Sequence, residues 1–535
     1  MNKWLLPLIL GLAFLLRIIA LDSYPVGFTP DEASFGYDAY SLLKTGKDQW
    51  GNSFPLVLKS FGDYKAPVYA YLTMPSVAIF GLTKFAVRLP NALLGVAAVY
   101  VLYLLVSKLL NAGYKLKLGS LNTETLMLNS KTVALVSSLV LAVSPWHIMM
   151  SRGAFEANLI TFFVPLGIYL FLKERYYLSA TILGLSMFTY HSAKFIAPLI
   201  FVALIIVFRK KVVKPIFVFC FFLGLTVFTF SQGAGARVKD VNIFSGSVEQ
   251  GSELKNIAVN GGEPYFLSKM FHNKFTVSFD RFINNYVSYF SPQFLLTKGP
   301  AETTYGMMPG TGVLNLVEFL GLFVGLFYLF LSNVLKTRYK LLILFWLLVS
   351  AVPASLATGP GYAANRAVAM VPVIQIISAI GICYLIKNRK VVGFVLIGLG
   401  FLSFLLFAEK YLFLSPQLSA NGMLSGNLEI AKYLETKNDF EKIVVSKTLS
   451  EPHIYIAFAM KTNPKDYQEA TKYWNFEDLN LKWVDQMPEY RLGKYVFKKV
   501  NASDSESPNT FIVGRPDEFK EASKFTENIY VKEIK

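Results

Sequence analysis

Residues 29–67 of the chain read TPDEASFGYDAYSLLKTGKDQWGNSFPLVLKSFGDYKAP and form most of a polar segment, 24–67, between two apolar runs. The segment has an adjacent acidic pair, Asp31 and Glu32, at the start of a helix-like run. A second polar group, GDYK at 62–65, comes just before apolar sequence resumes. Carboxylates in a first helical turn are favoured by the helix dipole, and Asp31 or the threonine before it can cap the helix. Residue type alone therefore favours a simple cap.

The composition indicates a membrane protein. Of the 535 residues 54% are hydrophobic, which is far more apolar surface than one water-soluble core buries. A membrane-crossing helix needs about 20 apolar residues, and such runs recur with short polar breaks. The run 66–82 is apolar but short, so we expect a re-entrant or interfacial helix there. We predict about eleven spans, at 4–21, 85–107, 132–150, 158–172, 176–190, 195–208, 213–230, 313–332, 341–357, 367–386 and 391–408.

The distribution of charge gives an orientation. With the amino terminus inside, the predicted inner segments carry 17 basic side chains against two acidic ones, which accounts for +15 of the net charge of +17. This is the positive-inside signature of membrane proteins, and it removes the case for nucleic-acid binding. An odd number of spans then places the carboxyl-terminal region outside. We expect a multi-pass plasma-membrane protein with a cytoplasmic amino terminus.

The sequence predicts two domains. The first, 1–408, is mainly α-helical and polytopic, with a first external loop at 22–84 and a long external loop at 231–312. The second, 409–535, has the composition of a soluble α/β domain, with an amphipathic helix at 427–434 and strands such as 442–446. It contains no GxGxxG, P-loop or Ser/His/Asp set, so we expect it to dock the acceptor or act as a scaffold. Cys220 and Cys383 fall in apolar spans, and neither a disulfide nor a cysteine metal site is indicated.

Several motifs in the membrane region resemble the C-type glycosyltransferases (GT-C), polytopic enzymes that use lipid-phosphate sugars. They are DEA at 31–33, TG at 45–46, GDYKAP at 62–67, FAVRLP at 85–90, SPWH at 144–147 and SRGAFEAN at 151–158. The resemblance is to the branch that holds the protein O-mannosyltransferases and the lipid A aminoarabinose transferases (glycosyltransferase families 39 and 83). It implies a GT-C-like fold of about eleven transmembrane helices. It also implies transfer of one sugar, with inversion, from a polyprenyl-phosphate donor to a hydroxyl of a lipid, glycan or protein acceptor at the outer membrane face.

The resemblance assigns roles to particular residues. Asp31 is the expected general base, with Glu32 beside it, and Glu156 is the second acidic residue. The residues alone favour a pairing of Glu156 with Arg152 at i, i+4 in the water interface. The side chains expected to bind the donor phosphate are Lys65, Arg88, Lys194 and Arg366. Those expected to line the substrate pocket are Asp63, Tyr64, His191 and Tyr305.

A divalent metal (Mg, Mn or Zn) is a candidate cofactor, and Asp31, Glu156 and His191 are its candidate ligands. Tyr64 stands where the aminoarabinose transferases carry an acidic metal ligand, which counts against zinc. The leading alternative function is a non-enzymatic transporter or flippase of lipid-linked sugars. Such a protein is expected to place ionisable groups near the bilayer midplane, whereas the unusual charges here fall in the predicted outer half. An adhesion or receptor protein is a weaker alternative, because about eleven spans exceed what an anchor requires.

Overall fold

The computed structural model describes residues 3–111, 129–210, 212–234, 243–332, 335–357, 362–387, 389–501, 504 and 507–534. Several predicted inner-side charges, at 112–128 and 211, lie outside the described residues. A 3₁₀ turn, Glu156–Leu159, and a π-helical turn, Phe230–Ala234, accompany the helices of the membrane region. Those helices are α1 Leu5–Ile18, α2 Pro30–Thr45, α3 Val68–Phe80, α4 Lys84–Asn111, α5 Ser130–Val143, α6 Pro145–Ser151, α7 Ile160–Leu172, α8 Tyr176–Ser186, α9 Ala193–Phe208, α10 Val213–Thr229, α11 Ser247–Asn260, α12 Tyr265–Phe271, α13 Lys274–Ser288, α14 Leu316–Leu331, α15 Thr337–Ser350, α16 Val352–Ser355, α17 Met370–Ile386, α18 Lys390–Glu409 and α19 Ser415–Leu418.

Each of the predicted spans coincides with a helix, so the mainly helical class is confirmed. By length and composition, four helical stretches of the described residues are able to cross a membrane: Lys84–Leu110, Val213–Gly233, Thr337–Ser355 and Val391–Leu418. The bent pair α5 and α6 forms a fifth candidate, and other apolar helices, such as α1, α7, α9, α14 and α17, are shorter. The number eleven therefore stays a prediction.

The predicted span 132–150 is broken. Helices α5 and α6 meet at an angle of 57° between Val143 and Pro145. Proline lacks an N–H and cannot continue the hydrogen-bond ladder of a preceding helix, but it fits the first turn of a new one. This bend redirects the chain toward the turn that carries Glu156.

The helical bundle packs around α17, whose side chains are buried from Met370 to Cys383. Glycines let α14 approach it closely: a Cβ added to Gly381 would lie 2.1 Å from the carbonyl oxygen of Gly321. Small residues at helix contacts are the usual means of close packing in membranes.

The first loop, 22–84, holds three structured elements at one end of the bundle: helix α2, a β-hairpin and helix α3. Helix α2 begins with a capping box in which Thr29 and Glu32 each accept a hydrogen bond from the other's backbone N–H, and it ends at Gly46 with a left-handed φ of 68°. A short antiparallel hairpin follows, formed by β1 (Leu58–Lys59) and β2 (Tyr64–Lys65). Helix α3 has 13 residues with Pro75 inside and belongs to the shorter apolar helices, so its re-entrant or interfacial placement stays a prediction.

The carboxyl-terminal domain is confirmed as α/β. Its helices are α20 Asn427–Leu434, α21 Pro452–Ala459 and α22 Pro464–Thr471, and its longer strands are β3 Lys442–Ser446, β4 Glu489–Leu492, β5 Tyr495–Lys498, β6 Thr510–Gly514 and β8 Tyr530–Ile534, with β7 at Ser523–Lys524. They form one mixed sheet in the order β4-β5-β3-β6-β8-β7. The last apolar helical stretch runs on from α18 through a π-helical turn, Lys410–Leu414, to Leu418, and the boundary at 408/409 stays a prediction.

The first loop and the carboxyl-terminal domain share one hydrophobic core, which includes Phe28, Phe35 and Phe61 of the loop and Tyr455 and Phe458 of the domain. Backbone bonds join them too: the N–H of Val484 donates to the carbonyl of Phe61 at 2.9 Å. We call the end of the bundle that carries both units the domain face.

The predicted long loop, 231–312, contains helices α11, α12 and α13 at the domain face, where the Asn285 amide donates to the carbonyl of Ser355. Its residues 235–242 lie outside the described residues. Short helices therefore make up much of the described part of this loop.

Candidate active site

Asp31 and Lys65 meet at the domain face. Asp31 lies in the first turn of α2, Lys65 ends the β1–β2 hairpin, and the Lys65 Nζ is 3.5 Å from Asp31 Oδ1. The Lys65 side chain is 2% exposed, whereas that of Asp31 is 39% exposed. The pair therefore combines a buried cation with a carboxylate that an incoming molecule can reach.

The Lys65 ammonium is enclosed by aromatic rings. Its Nζ lies 4.5 Å from the ring centroid of Phe35 and 5.5 Å from that of Phe61. Apart from the long ion pair with Asp31, the ammonium forms no hydrogen bond to the described residues. Buried donors are normally paired, and an ammonium has three N–H groups. Lys65 therefore retains the capacity to bind an anion.

Glu32, next to Asp31, points into a different environment. Its carboxylate is fully buried, and it accepts hydrogen bonds from Arg88 at 2.8 and 3.1 Å and from the N–H groups of Ala154 and Thr29. Burial alone would raise the pKa of Glu32, but the charge and hydrogen bonds of Arg88 and the two backbone bonds lower it overall. These bonds favour a structural role for Glu32 over the predicted catalytic one.

Arg88 also differs from the prediction. Its side chain is fully buried, and its remaining N–H groups donate to the carbonyls of Leu21, Pro25 and Gly27 at 2.9–3.2 Å. Together with the two bonds to Glu32, these use all five donors of the guanidinium. No N–H group of Arg88 is left for the phosphate of the sugar donor, which favours a structural role over the predicted phosphate-binding one.

The turn that carries Glu156 is docked onto the first loop. Ala154 binds Glu32, and the hydroxyl of Tyr69 interacts electrostatically with both Glu32 and Glu156. Glu156 itself is partly exposed at the start of a 3₁₀ turn. The guanidinium of Arg152, the alternative partner weighed above, donates to three carbonyls at the end of α1: Leu16, Ile19 and Ala20.

Tyr305 lies against the same turn. Its ring centroid is 5.7 Å from that of Phe155, and the next residue, Gly306, donates its N–H to the sulfur of Met423. The end of the long loop therefore sits between the Glu156 turn and the connection to the carboxyl-terminal domain.

His191 lies in the hinge between α8 and α9, and the same hinge contacts the loop that carries Arg366. The N–H of Val68, three residues after Lys65, donates to the carbonyl of Phe188 at 3.2 Å. Two residues farther along the hinge, the Tyr190 hydroxyl accepts a hydrogen bond at 3.4 Å from the Asn365 amide, next to partly exposed Arg366. His191 is partly exposed beside Tyr190. The hinge thus connects the Lys65 hairpin to the Arg366 loop.

Lys194 and Tyr64 both contact the π-helical turn 230–234. The Lys194 ammonium lies 5.2 Å from the ring centroid of Phe230. The Tyr64 ring packs directly on Gly233, where a Cβ would lie 2.3 Å from the ring. Asp63, at the tip of the hairpin, accepts a backbone bond from Ser60 at 2.8 Å. These residues lie on the hairpin side of the Asp31–Lys65 pair.

The candidate metal ligands are Asp31, Glu156 and His191. Among the described residues, no group of three or more His, Cys, Asp or Glu side chains is arranged to hold a metal ion. Because Mg²⁺ is often held by one or two carboxylates together with substrate phosphates, the use of a divalent metal stays a prediction.

Sequence reasoning missed Asp38, which is fully buried two turns after Asp31. It accepts a hydrogen bond from the N–H of Gln49 at 3.0 Å. Burial and then the charge of Asp48 raise the pKa of Asp38 to about 8, although Lys65 opposes the shift. The spacing i, i+7 places Asp38 on the same helix face as Asp31, and this signal was available in the sequence.

Sequence reasoning also missed Glu451 of the carboxyl-terminal domain. Glu451 immediately precedes α21, whose Tyr455 hydroxyl donates to the carbonyl of Phe28 at 2.7 Å, close to the start of α2. Burial and then the charge of Asp485, with smaller contributions from Asp31 and Asp63, raise the pKa of Glu451 to about 7. No spacing in the sequence connects Glu451 with Asp31.

Comparisons with known proteins agree with this architecture. The crystal structure of ArnT from Cupriavidus metallidurans in the apo state matches with a TM-score of 0.54 at 11% identity, over 98% of this chain and 97% of that one. This chain has the C-type glycosyltransferase fold. ArnT bound to undecaprenyl phosphate matches at 0.53 with the same identity and coverage. The family of dolichyl-phosphate-mannose-protein mannosyltransferases matches residues 64–116. A search of curated proteins finds no significant match.

The GT-C fold and the resemblance to the mannosyltransferase and aminoarabinose transferase branch are confirmed. The match to the mannosyltransferase family begins at Tyr64 and includes Lys65 and Arg88, so it covers the end of the hairpin and the whole of α3 and α4. The apo oligosaccharyltransferase of Archaeoglobus fulgidus has a TM-score of 0.47 at 13% identity, over 96% of this chain and 70% of that one.

Proposed function

We propose that this protein is a membrane glycosyltransferase that transfers a single sugar from a polyprenyl-phosphate donor to an acceptor hydroxyl. The observation that carries the proposal is the Asp31–Lys65 pair, an accessible carboxylate beside a buried ammonium with no hydrogen bond of its own. It lies on the first loop of a GT-C fold, at one end of the helical bundle. A carboxylate base beside a phosphate-binding cation is what this transfer requires.

In the proposed reaction Asp31 accepts the proton of the acceptor hydroxyl. The hydroxyl oxygen forms a bond to the anomeric carbon of the sugar while the bond from that carbon to the phosphate oxygen breaks on the opposite face. The electron pair of the broken bond leaves with the polyprenyl phosphate, and the configuration at the anomeric carbon inverts. General-base assistance of this kind contributes about 10²–10⁴-fold to the rate.

The leaving phosphate gains negative charge, and Lys65 is placed to stabilise it. Charge-assisted hydrogen bonds to phosphate are among the stronger interactions of proteins. Arg366 and Lys194 remain candidates for the same role, because the hinge and the π-helical turn connect their surroundings to the hairpin. Glu156, Asp63, Tyr64, His191 and Tyr305 are proposed to contact the sugar or the acceptor. Glu32 and Arg88 are assigned to the framework.

The domain face is proposed to be the extracytoplasmic side of the plasma membrane. The support is the distribution of Lys and Arg in the sequence, which follows the positive-inside rule with the amino terminus in the cytoplasm. A polyprenyl-phosphate donor would then present its sugar to the Asp31–Lys65 pair from the outer leaflet.

A turnover assay tests the proposal. Purified wild type, Asp31→Asn and Asp22→Asn are incubated with a labelled polyprenyl-phosphate hexose and acceptor-containing membrane extract, and released polyprenyl phosphate is measured. Asp22 is exposed in the same loop and serves as the matched control. We expect Asp31→Asn to lose about 10²–10⁴-fold in turnover and Asp22→Asn to keep wild-type turnover. Equal turnover in all three proteins would eliminate Asp31 as the base, whereas no release of polyprenyl phosphate by any of them would favour a non-enzymatic role.

A further inference from the structure

Helices α12 and α13 of the long loop expose large apolar side chains. In α12, Phe266 is 74% exposed and Met270 57%, and in α13, Phe275 is 74% and Phe279 66% exposed. Soluble proteins seldom leave contiguous apolar patches of this kind uncovered, and such patches mark protein or membrane contacts. The surface of these two helices therefore requires a partner.

The side chains of α13 are sorted into three sectors. Phe275, Phe279, Ile283 and Val287 follow one another at intervals of four residues, and all are exposed. Asp280 and Asn284, which are also exposed, lie to one side of this stripe. Val277 and Ser278 are buried and face the protein. At 100° per residue the helix thus presents one sector to the protein, one to water and one apolar sector between them.

The apolar sector continues the lipid-facing surface of the bundle. The hydroxyl of Tyr286 in α13 donates to the carbonyl of Leu348 at 2.9 Å. Leu348 is 52% exposed on the stretch Thr337–Ser355, which is long and apolar enough to cross a membrane. The exposed stripe of α13 therefore adjoins a surface that lipid covers.

We propose that α12 and α13 lie in the lipid interface of the leaflet on the domain face, with Phe275, Phe279, Ile283 and Val287 immersed among the acyl chains. Fifteen residues make a helix of about 22 Å, which is too short to cross a hydrocarbon core of about 30 Å. An amphipathic helix of this kind lies in the plane of the interface. Lys269 and Lys274 are exposed where α12 and α13 meet, and long side chains of this type reach headgroups from that depth.

This placement has a consequence for the Arg366 loop. Helix α13 is followed directly by Tyr289, whose hydroxyl accepts a hydrogen bond from the N–H of Ala363 at 3.1 Å. Arg366 interacts electrostatically with the same tyrosine. A helix held in the interface therefore fixes the height of Arg366 at the lipid headgroups. The seating of α12 and α13 in lipid does not itself depend on sugar transfer.

Site-specific fluorescence of the full chain in lipid nanodiscs tests the inference. Exposed Cys220 is first replaced by Ser, whereas buried Cys383 is retained. Phe279→Cys and Ile283→Cys, on the apolar sector, are compared with the matched control Asn284→Cys on the water sector. Each is labelled with an environment-sensitive fluorophore, and quenching by nitroxide-bearing lipids and by aqueous iodide is measured.

We expect the labels at 279 and 283 to be blue-shifted and quenched several-fold more strongly by the lipid-borne nitroxide than the label at 284. Aqueous iodide should quench the label at 284 more strongly than the labels at 279 and 283. Labels at 279 and 283 that iodide quenches as well as it quenches the label at 284 would overturn the inference. Protection from both quenchers, with cross-links between copies of the chain, would show a protein partner instead of lipid and would also overturn it. Because all three positions are exposed, monodisperse elution of each variant is expected and is checked before labelling.

Discussion

Replacement of Glu32 by Gln should destabilise the fold, and it tests the structural role of the Glu32–Arg88 pair, not its part in catalysis. The substitution keeps the shape of the side chain but leaves the fully buried Arg88 guanidinium without its counter-charge. Removing one partner of a buried ion pair costs about 3–5 kcal/mol, because the remaining charge stays buried and unneutralised. The loss of unfolding free energy should be near the upper end of this range, since Glu32 also accepts hydrogen bonds from the N–H groups of Ala154 and Thr29.

Thermal unfolding of purified proteins in one detergent, at one scan rate, measures this effect. Asp31→Asn is the control, because Asp31 is the adjacent carboxylate and is 39% exposed. We expect a clear fall in the unfolding midpoint for Glu32→Gln and little change for Asp31→Asn. The double variant Glu32→Leu with Arg88→Met should be more stable than Arg88→Met alone, since no buried charge remains. A wild-type midpoint for Glu32→Gln would refute the assignment of this pair to the framework.

The same pair predicts a pH dependence. The pKa of Glu32 is lowered in the folded protein relative to 4.5. A carboxyl with a lowered folded pKa stabilises the fold above its unfolded pKa, and that stabilisation is lost as the pH falls through the folded value. The difference in midpoint between wild type and Glu32→Gln should therefore be constant from neutral pH to about 4.5 and shrink below it.

Three further predictions concern the site. Lys65→Met should lower turnover by about 10²–10³-fold through loss of phosphate stabilisation, whereas Lys59→Met, on the same hairpin and paired with Glu477, should not; equal effects would refute the role of Lys65. Burial and then the charge of Asp48 raise the pKa of Asp38 from 3.8 to about 8, so the stability of the wild type should fall as the pH rises between these values. Asp38→Asn should remove that fall. If the unfolding midpoint of Asp38→Asn decreased with pH as steeply as that of the wild type, the prediction would be contradicted. Gly62→Ala places a Cβ 2.2 Å from the carbonyl oxygen of Lys482 and should make the carboxyl-terminal domain more sensitive to limited proteolysis. Gly81→Ala, at a position that also has a positive φ but has open space around it, should not. Similar digestion of the two variants would argue against the close contact at Gly62.

The helices were predictable because apolar runs of sufficient length have few alternatives in a membrane. The helix cap at Thr29 and the strands at 442–446 and 510–513 were predictable for a related reason, because capping and strand signals are local. The bend at Pro145 was missed, and so was the helical stretch 410–418 that follows α18. A break inside an apolar run and the end of a span depend on packing against neighbouring helices, which hydropathy does not report.

The roles of charged side chains were harder to predict than the fold. Arg88 was expected to bind phosphate because it stands at the mouth of a predicted span, where a cation often meets a headgroup. Its five donors are instead used by Glu32 and by three carbonyls of residues 21–27. Those partners come from a loop whose path the sequence does not specify. Glu451 illustrates the opposite case, since a domain 420 residues away in the chain supplies a carboxyl beside the site.

The pair Asp31 and Glu32 shows why residue type and position were insufficient. Successive residues of a helix point about 100° apart, so two adjacent carboxylates at the start of α2 necessarily face different surroundings. Glu32 turns inward, where Arg88 and two N–H groups hold it, and that attachment fixes the first turn of α2 against α4 and the Glu156 turn. Asp31 turns outward toward Lys65. The rigidity that a base needs is therefore supplied by its neighbour, and a sequence motif of two acids contains one residue for the proposed chemistry and one for its position.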